Sequence, residues 1–282
     1  MSNFSKRFRA SRVKNVFIFC LILNIFSSPF ISEAKDRVSC KAVIFSDSTR
    51  GQRLYSKRVD ARILPASTAK VMTALIVLKK LPLGKYIRVS PRALYPQPSK
   101  IDVKAGEQYK VKDLLYAILL SSANDASIVL AEAVAGSEGE FVRLMNKRAK
   151  QLGAKHTNFA NSNGLPSRSP QYSTAYDMYL IFRQALKHYE FREAIQARYK
   201  IIRSRGGRQI TLKSHNKILF LSNWKKKVYG KTGYTRAAQS CFIGTLKKGK
   251  SDLIIATFGC TDRWDDIRHI VSRYGKVNVT TP

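Results

Sequence analysis

Two short runs near the N-terminal end, Lys41-Ala42-Val43-Ile44-Phe45 and Gln52-Arg53-Leu54-Tyr55-Ser56, flank a stretch that carries Asp47, Ser48 and Gly51. Apolar runs of this length around a turn sequence predict a β-hairpin. From Ala66 to about Gln196 the apolar positions recur instead at helical spacing. The first helix opens on Pro65-Ala66-Ser67-Thr68-Ala69-Lys70-Val71-Met72 and runs on to Leu78; a second covers 111–120 and a third 126–135. A fourth follows Ser137, which can cap with Glu140, and stops at Gly153; a fifth follows Thr174, with Asp177 three residues on. Between these two, residues 156–172 are rich in Asn, Gly, Ser and Pro and read as a long ordered loop of the kind that serves a site. Strand patterns return at 239–246 and 251–258, joined by Lys247-Lys248-Gly249-Lys250, and a last helix covers about 265–274. Strands at both ends of the chain with helices between them predict an α+β fold. Its antiparallel sheet is formed by both ends of the chain (about 37–62 and 228–260), with a helical subdomain (about 66–200) inserted, and 276–282 are left as a C-terminal tail.

The chain has 282 residues and 44% hydrophobic content, enough for one large packed domain or two modest ones. Its formal charge of +33 is the abnormal quantity and implies attraction to polyanions. Lys6, Arg7, Arg9, Arg12 and Lys14 precede an apolar run over 16–26, and Ser32-Glu33-Ala34 offers small residues at the cleavage positions. Residues 1–34 are therefore expected to be a signal peptide cleaved after Ala34, with an uncleaved anchor as the alternative. Export to the periplasm or cell envelope demotes nucleic acid as a partner and leaves an anionic wall or membrane surface. Cys20 falls within the leader. Of Cys40, Cys241 and Cys260, export permits one pair, and the sequence does not choose it. The histidines at 156, 188, 215 and 269 stand at no ligand spacing to a cysteine, so neither a metal nor another cofactor is expected.

Ser67 and Lys70 lie three residues apart on one face of a helix start. A serine hydroxyl needs a neighbour to take its proton, and the positive end of the helix dipole pushes a nearby amine towards its neutral form, so Lys70 suits a general base. The spacing alone is weak, because it recurs at Ser11/Lys14, Ser32/Lys35, Ser214/Lys217 and Ser222/Lys225. Ser122-Ala123-Asn124 sits in a break between two helices, where a local cap is the plainer explanation, and Ser214-His215-Asn216 repeats its pattern. Lys231-Thr232-Gly233 occurs once, at the start of the C-terminal sheet, where Gly233 lets backbone approach a ligand closely.

With the three motifs in this order, residues 37 to about 270 resemble the serine-type D-alanyl-D-alanine carboxypeptidases, the low-molecular-mass penicillin-binding proteins, which share the serine β-lactamase and transpeptidase fold. The likeness extends to Lys104-Ala105-Gly106-Glu107, Asn161-Ser162-Asn163-Gly164-Leu165, Tyr172-Ser173-Thr174-Ala175 and Gly230 through Thr235. The resemblance implies that Ser67 attacks the bond between the last two D-alanines of a peptidoglycan stem peptide. Lys70 would take its proton, and Ser122 would pass one to the departing D-alanine. Asn124 would orient Lys70 and the substrate amide, Lys231 and Thr232 would hold the terminal carboxylate beside Gly233, and the backbone N–H groups of Ser67 and Tyr234 would form an oxyanion hole. β-Lactam antibiotics should trap Ser67 as a slow ester. Ala123 stands where the family often has glycine. The family's further β-rich domain and amphipathic docking helix have no counterpart before Pro282, so docking is expected to rely on charge.

Two rivals bound this expectation. A class A β-lactamase needs a glutamate in the loop over its site to activate water, and residues 156–172 contain no Glu or Asp. A non-catalytic basic wall-binding protein has no use for a nucleophile. A DD-endopeptidase, which cleaves crosslinks, carries the same motifs as a carboxypeptidase, and the sequence leaves that choice open.

Overall fold

The computed structural model describes residues 37–280; the expected leader and its cleavage point after Ala34 lie outside the described residues. In chain order the elements are β1 (Ala42–Asp47), β2 (Gln52–Lys57), α1 (Lys70–Lys80), β3 (Tyr86–Arg88), β4 (Gln108–Lys110), α2 (Val111–Leu120), α3 (Asn124–Ala135) and α4 (Glu138–Gln151). There follow α5 (Ala175–Ala185), α6 (Tyr189–Gln196), β5 (Tyr199–Arg203), β6 (Gln209–Lys213), β7 (Tyr229–Thr235), β8 (Gln239–Lys248), β9 (Ser251–Cys260) and α7 (Arg263–Gly275). The main sheet is antiparallel in the order β2-β1-β9-β8-β7, so both ends of the chain build it, as expected of the α+β class.

Side-chain alternation divides the interior into two cores. Along β1, Ala42 and Ile44 face the helices between the sheet halves, while Val43 and Phe45 face α7; in β9, Ile254 and Ala256 take the first side and Leu253 and Ile255 the second. With both faces covered, β1 is buried at every position, which is why it reads as an unbroken apolar run. On the first side, α1 packs against α2, α3, α4 and α5 and is buried from Lys70 through Val77. A helix enclosed on all sides fixes whatever stands at its N-terminus.

Local capping follows the sequence. Ser137 Oγ accepts from Glu140 N and Thr174 Oγ1 from Asp177 N, which starts α4 and α5 where the caps placed them. Three features depart from the sequence reading. The β3–β4 pair has only three residues per strand, too few for a period to be read. The β5–β6 hairpin buries only Ile202 and Leu212 fully within its strands, so its alternation is faint, and α6 lies between it and α5. Residues 276–280, set apart above as a tail, belong to the folded body. Lys276 ends α7 in the left-handed region at φ 48°, after which Val277 and Val279 bury in the α7-side core and Thr280 bridges to Trp224.

Cys40 pairs with Cys260, extending the β1–β9 register by two residues, while Cys241 is free and buried. Closing a sequence separation of 220 residues restricts the unfolded chain and contributes on the order of 5 kcal/mol by the loop-entropy relation. Among the described residues no helix is long and apolar enough to cross a membrane.

Candidate active site

Ser67 lies in a 3-10 turn over Ala66–Ala69 that leads directly into α1. The turn is entered through Ala66 at φ 46°, a conformation that costs a non-glycine residue about 1–2 kcal/mol. The loop at 156–172 holds it there. Gly164, at φ +83°, packs so closely that a Cβ would come within 1.9 Å of Ala66 O, so only glycine fits. On the other side β7 presses in: a Cβ on Gly233 would lie 3.1 Å from Ser67 N and 3.2 Å from Pro65 O. The two glycines let loop and strand close on the backbone that carries Ser67.

Lys70 is fully buried, with Nζ 3.0 Å from Ser67 Oγ, 2.6 Å from Asn124 Oδ1 and 2.8 Å from the carbonyl oxygen of Asn163. Burial first, and then the positive charge of Lys231, hold its pKa well below the usual lysine value; Asp125 and Glu138 pull the other way. A neutral amine has two hydrogens and one lone pair. Asn124 and Asn163 present only acceptors and take both hydrogens, which leaves the lone pair for the Ser67 hydroxyl.

Each neighbour is itself anchored. Asn124 begins α3 and donates through Nδ2 to Gln97 O. Asp125 accepts from the backbone N–H groups of Ile101 and Val103, pinning the stretch that follows Pro98 and Ser99 of the cleft wall, and burial raises its pKa. Ser162 donates to Glu138 from both N and Oγ, and its carbonyl accepts from Thr73 and Ser127. The loop is thus tied to α1, α3 and α4 at the residue before Asn163.

A second amine stands at the other hydroxyl. Lys231 is fully buried in β7; its Nζ donates to Ser122 Oγ at 3.0 Å and to Thr232 O at 2.7 Å. Its pKa is lowered to about 7, by burial first and by Arg263 second. Ser122 adopts φ 57°, so the break between α2 and α3 is strained as well as polar, and it aims the hydroxyl at Lys231 rather than capping α3.

Ser67, Ser122, Asn124, Thr232, Gly233 and Tyr234 all line one cleft of about 960 Å³, with Lys70 and Lys231 buried behind it. Sequence reasoning missed two contributors. Arg263, at the start of α7, also lines the cleft and donates to the carbonyls of Gly233 and Cys241, both at 3.0 Å. It adds positive charge beside Thr232, and no motif marks it. The carbonyl of Asn163 is equally invisible, since every residue has one. The second Ser-x-Asn, at Ser214 and Asn216, is partly in the cleft wall through Ser214, but Asn216 turns inward and donates to Val228 O. His215 on the same wall is pushed down to about 4, by desolvation and then by Lys231, Lys70 and Arg263, and so is neutral at pH 7. Tyr234 is 62% exposed at the cleft rim.

Comparison with known proteins gives consistent relatives. A family model described as D-alanyl-D-alanine carboxypeptidase matches residues 30–262. The chain is 33% identical over 251 residues to the D-alanyl-D-alanine carboxypeptidase DacF of Bacillus subtilis, covering 86% of this chain and 64% of that protein. It is 33% identical over 215 residues to DacB2 of Mycobacterium tuberculosis, covering 76% and 72%. The chain thus spans somewhat under two thirds of the first relative and somewhat over two thirds of the second. The crystal structure of a D-alanyl-D-alanine carboxypeptidase from Mycobacterium tuberculosis superposes with a TM-score of 0.78 at 28% identity, over 86% of this chain and 94% of that one.

Proposed function

The chain belongs to the D-alanyl-D-alanine carboxypeptidase family, and from that premise we propose that it removes the terminal D-alanine from peptidoglycan stem peptides through an acyl-enzyme on Ser67. The observation that carries the proposal is the 3.0 Å contact between Lys70 Nζ and Ser67 Oγ, with Asn124 Oδ1 and the Asn163 carbonyl placed to take the amine's two hydrogens. The substrate's C-terminal carboxylate binds beside Thr232 and Arg263 in the field of Lys231. β7 is an edge strand of the sheet and offers its outer backbone groups to an extended peptide.

Ser67 Oγ attacks the carbonyl of the penultimate D-alanine as Lys70 takes the hydroxyl proton. Negative charge builds on the carbonyl oxygen, which the N–H groups of Ser67 and Tyr234 receive; one such donor contributes about 2.7–4 kcal/mol in the transition state. Ser122, backed by Lys231, protonates the departing amine as the C–N bond breaks, and the proton that Lys70 took from Ser67 makes good the one Ser122 gave, leaving Lys70 neutral again. Water then attacks the ester, Lys70 taking its proton and returning one to Ser67 Oγ as the acid leaves. A β-lactam offers a carboxylate and a strained amide to the same groups and leaves a slowly hydrolysed ester. The reaction takes place in the periplasm or cell envelope, where the substrate is; the basic N-terminal segment followed by an apolar run supports export, and the charge favours contact with an anionic wall or membrane surface.

The direct test gives the protein a soluble pentapeptide ending in two D-alanines and, separately, a crosslinked dimer. Faster release of D-alanine from the pentapeptide, stopped by one equivalent of penicillin, is the expected result. Faster opening of the dimer makes the protein a DD-endopeptidase, and activity on neither leaves a wall-binding protein.

The two lysines also set a pH dependence. Acylation needs neutral Lys70, so kcat/KM rises with pH as that amine loses its proton; carboxylate recognition needs charged Lys231, so it falls as pH passes about 7. A kcat/KM profile with its alkaline limb near neutrality is expected, and a rate climbing unbroken to pH 10 contradicts the assignment of Lys231.

Gly233→Ala is expected to slow penicillin acylation by about 10- to 100-fold, because the added methyl meets backbone at Ser67 and Pro65 that cannot swing aside. Stopped-flow acylation measures it, and a rate at the wild-type level contradicts the close fit.

A further inference from the structure

A second cleft, of about 1050 Å³, shares no lining residue with the catalytic one. It opens at Tyr229, the start of β7, about 16 Å along that strand from Tyr234. One wall, from the end of α5 to α6, carries Arg183, Lys187 and Arg192. The segment before β7 adds Lys225, Lys226 and Lys227 to the lining, and β8 adds Lys247. Its only acid is Asp252, 2.8 Å from Lys247 and so engaged by it. Among the described residues no carboxylate lies within ion-pair distance of the other six cations.

The helix dipole accounts for one of them, Arg183 in the last turn of α5. Arg192 donates to Leu186 O and Lys227 to Leu221 O, neutral carbonyls that leave both charges uncompensated. Like charges gathered around one cleft repel, and an anion held among them relieves that repulsion. The shape narrows the choice of anion. A flat bilayer touches only the rim of a concave cleft, whereas a chain lying in it meets the cations of every segment that lines it. Leu180, Leu186 and Ile195 line the same slot and offer contact to the carbon atoms between the anionic groups.

We propose that this cleft binds a linear, phosphate-bearing polymer of the sugar-phosphate or polyol-phosphate kind, and so holds the enzyme on an anionic chain while the catalytic cleft stays open. The site is independent of the reaction on Ser67, and Ser67→Ala protein is expected to bind the polymer as well as the wild type does.

Fluorescence anisotropy of a labelled poly(glycerol phosphate) oligomer, titrated with the full chain at low and moderate salt, tests this. Lys187→Glu/Lys226→Glu is expected to weaken binding at least about tenfold, with penicillin acylation, which reports folding, unchanged. Lys85→Glu/Lys104→Glu, which makes the same change in net charge outside the cleft, is expected to weaken it less than about twofold. Equal losses in the two pairs would show diffuse attraction and overturn the proposal. Absence of binding by the wild type, or binding to phosphatidylglycerol vesicles but not to the oligomer, would overturn it too.

Discussion

Ser67→Ala is expected to lower D-alanine release by about 10⁴-fold or more and to abolish penicillin labelling, with the protein still folded. The size follows from what is lost. Without the hydroxyl no acyl-enzyme forms, and neither the oxyanion donors nor the cations at the carboxylate pocket can supply a nucleophile. The cost to stability is small, within about 1 kcal/mol, because Ser67 is only partly buried and the 3-10 turn is held by Thr68, Gly164 and Gly233 rather than by its side chain. D-alanine release by an enzymatic assay and a thermal melt are the two readouts. Release within tenfold of wild type would move the nucleophile elsewhere.

Lys70→Met is expected to slow acylation by about 10²- to 10⁴-fold, the range over which a positioned base acts. Methionine keeps the length of the side chain and fills the same buried space without a charge. It leaves Asn124 Oδ1 and the Asn163 carbonyl without their donor, which costs about 1–3 kcal/mol of stability, so both rate and melting temperature should fall. The rate is the discriminating quantity: a lysine that merely braced α1 against the 156–172 loop would lower the melting temperature and leave penicillin acylation close to wild type.

The nucleophile and its base were legible because they are local. A three-residue spacing at a helix start puts two side chains on one face whatever the rest of the fold does. The pairs Lys70–Asn124 and Lys231–Ser122 join residues 54 and 109 apart, and nothing in their local sequence says that they meet; only the order of three motifs and the family likeness brought them together. The 156–172 loop is legible as long and ordered from its Asn, Gly, Ser and Pro, but its contribution lies in a backbone carbonyl and in the absence of a side chain at Gly164, neither of which has a chemical signature. Arg263 sits in an ordinary helix start and becomes part of the site only because α7 packs behind β8. The same limit applies to the fold. Long buried elements such as α2 and β9 announce themselves, whereas β3 and β4 exist because their three-residue pairing closes the 89–107 loop, which packs on α3, and the Cys40–Cys260 bridge is set by a strand register that composition cannot supply.

The most direct measurement of the central claim is peptide mapping by mass spectrometry after brief exposure of the full chain to penicillin. One adduct per chain is predicted, on the peptide that contains Ser67 and absent from Ser67→Ala protein. An adduct at any other residue, or D-alanine release that continues with the chain unlabelled, would contradict it.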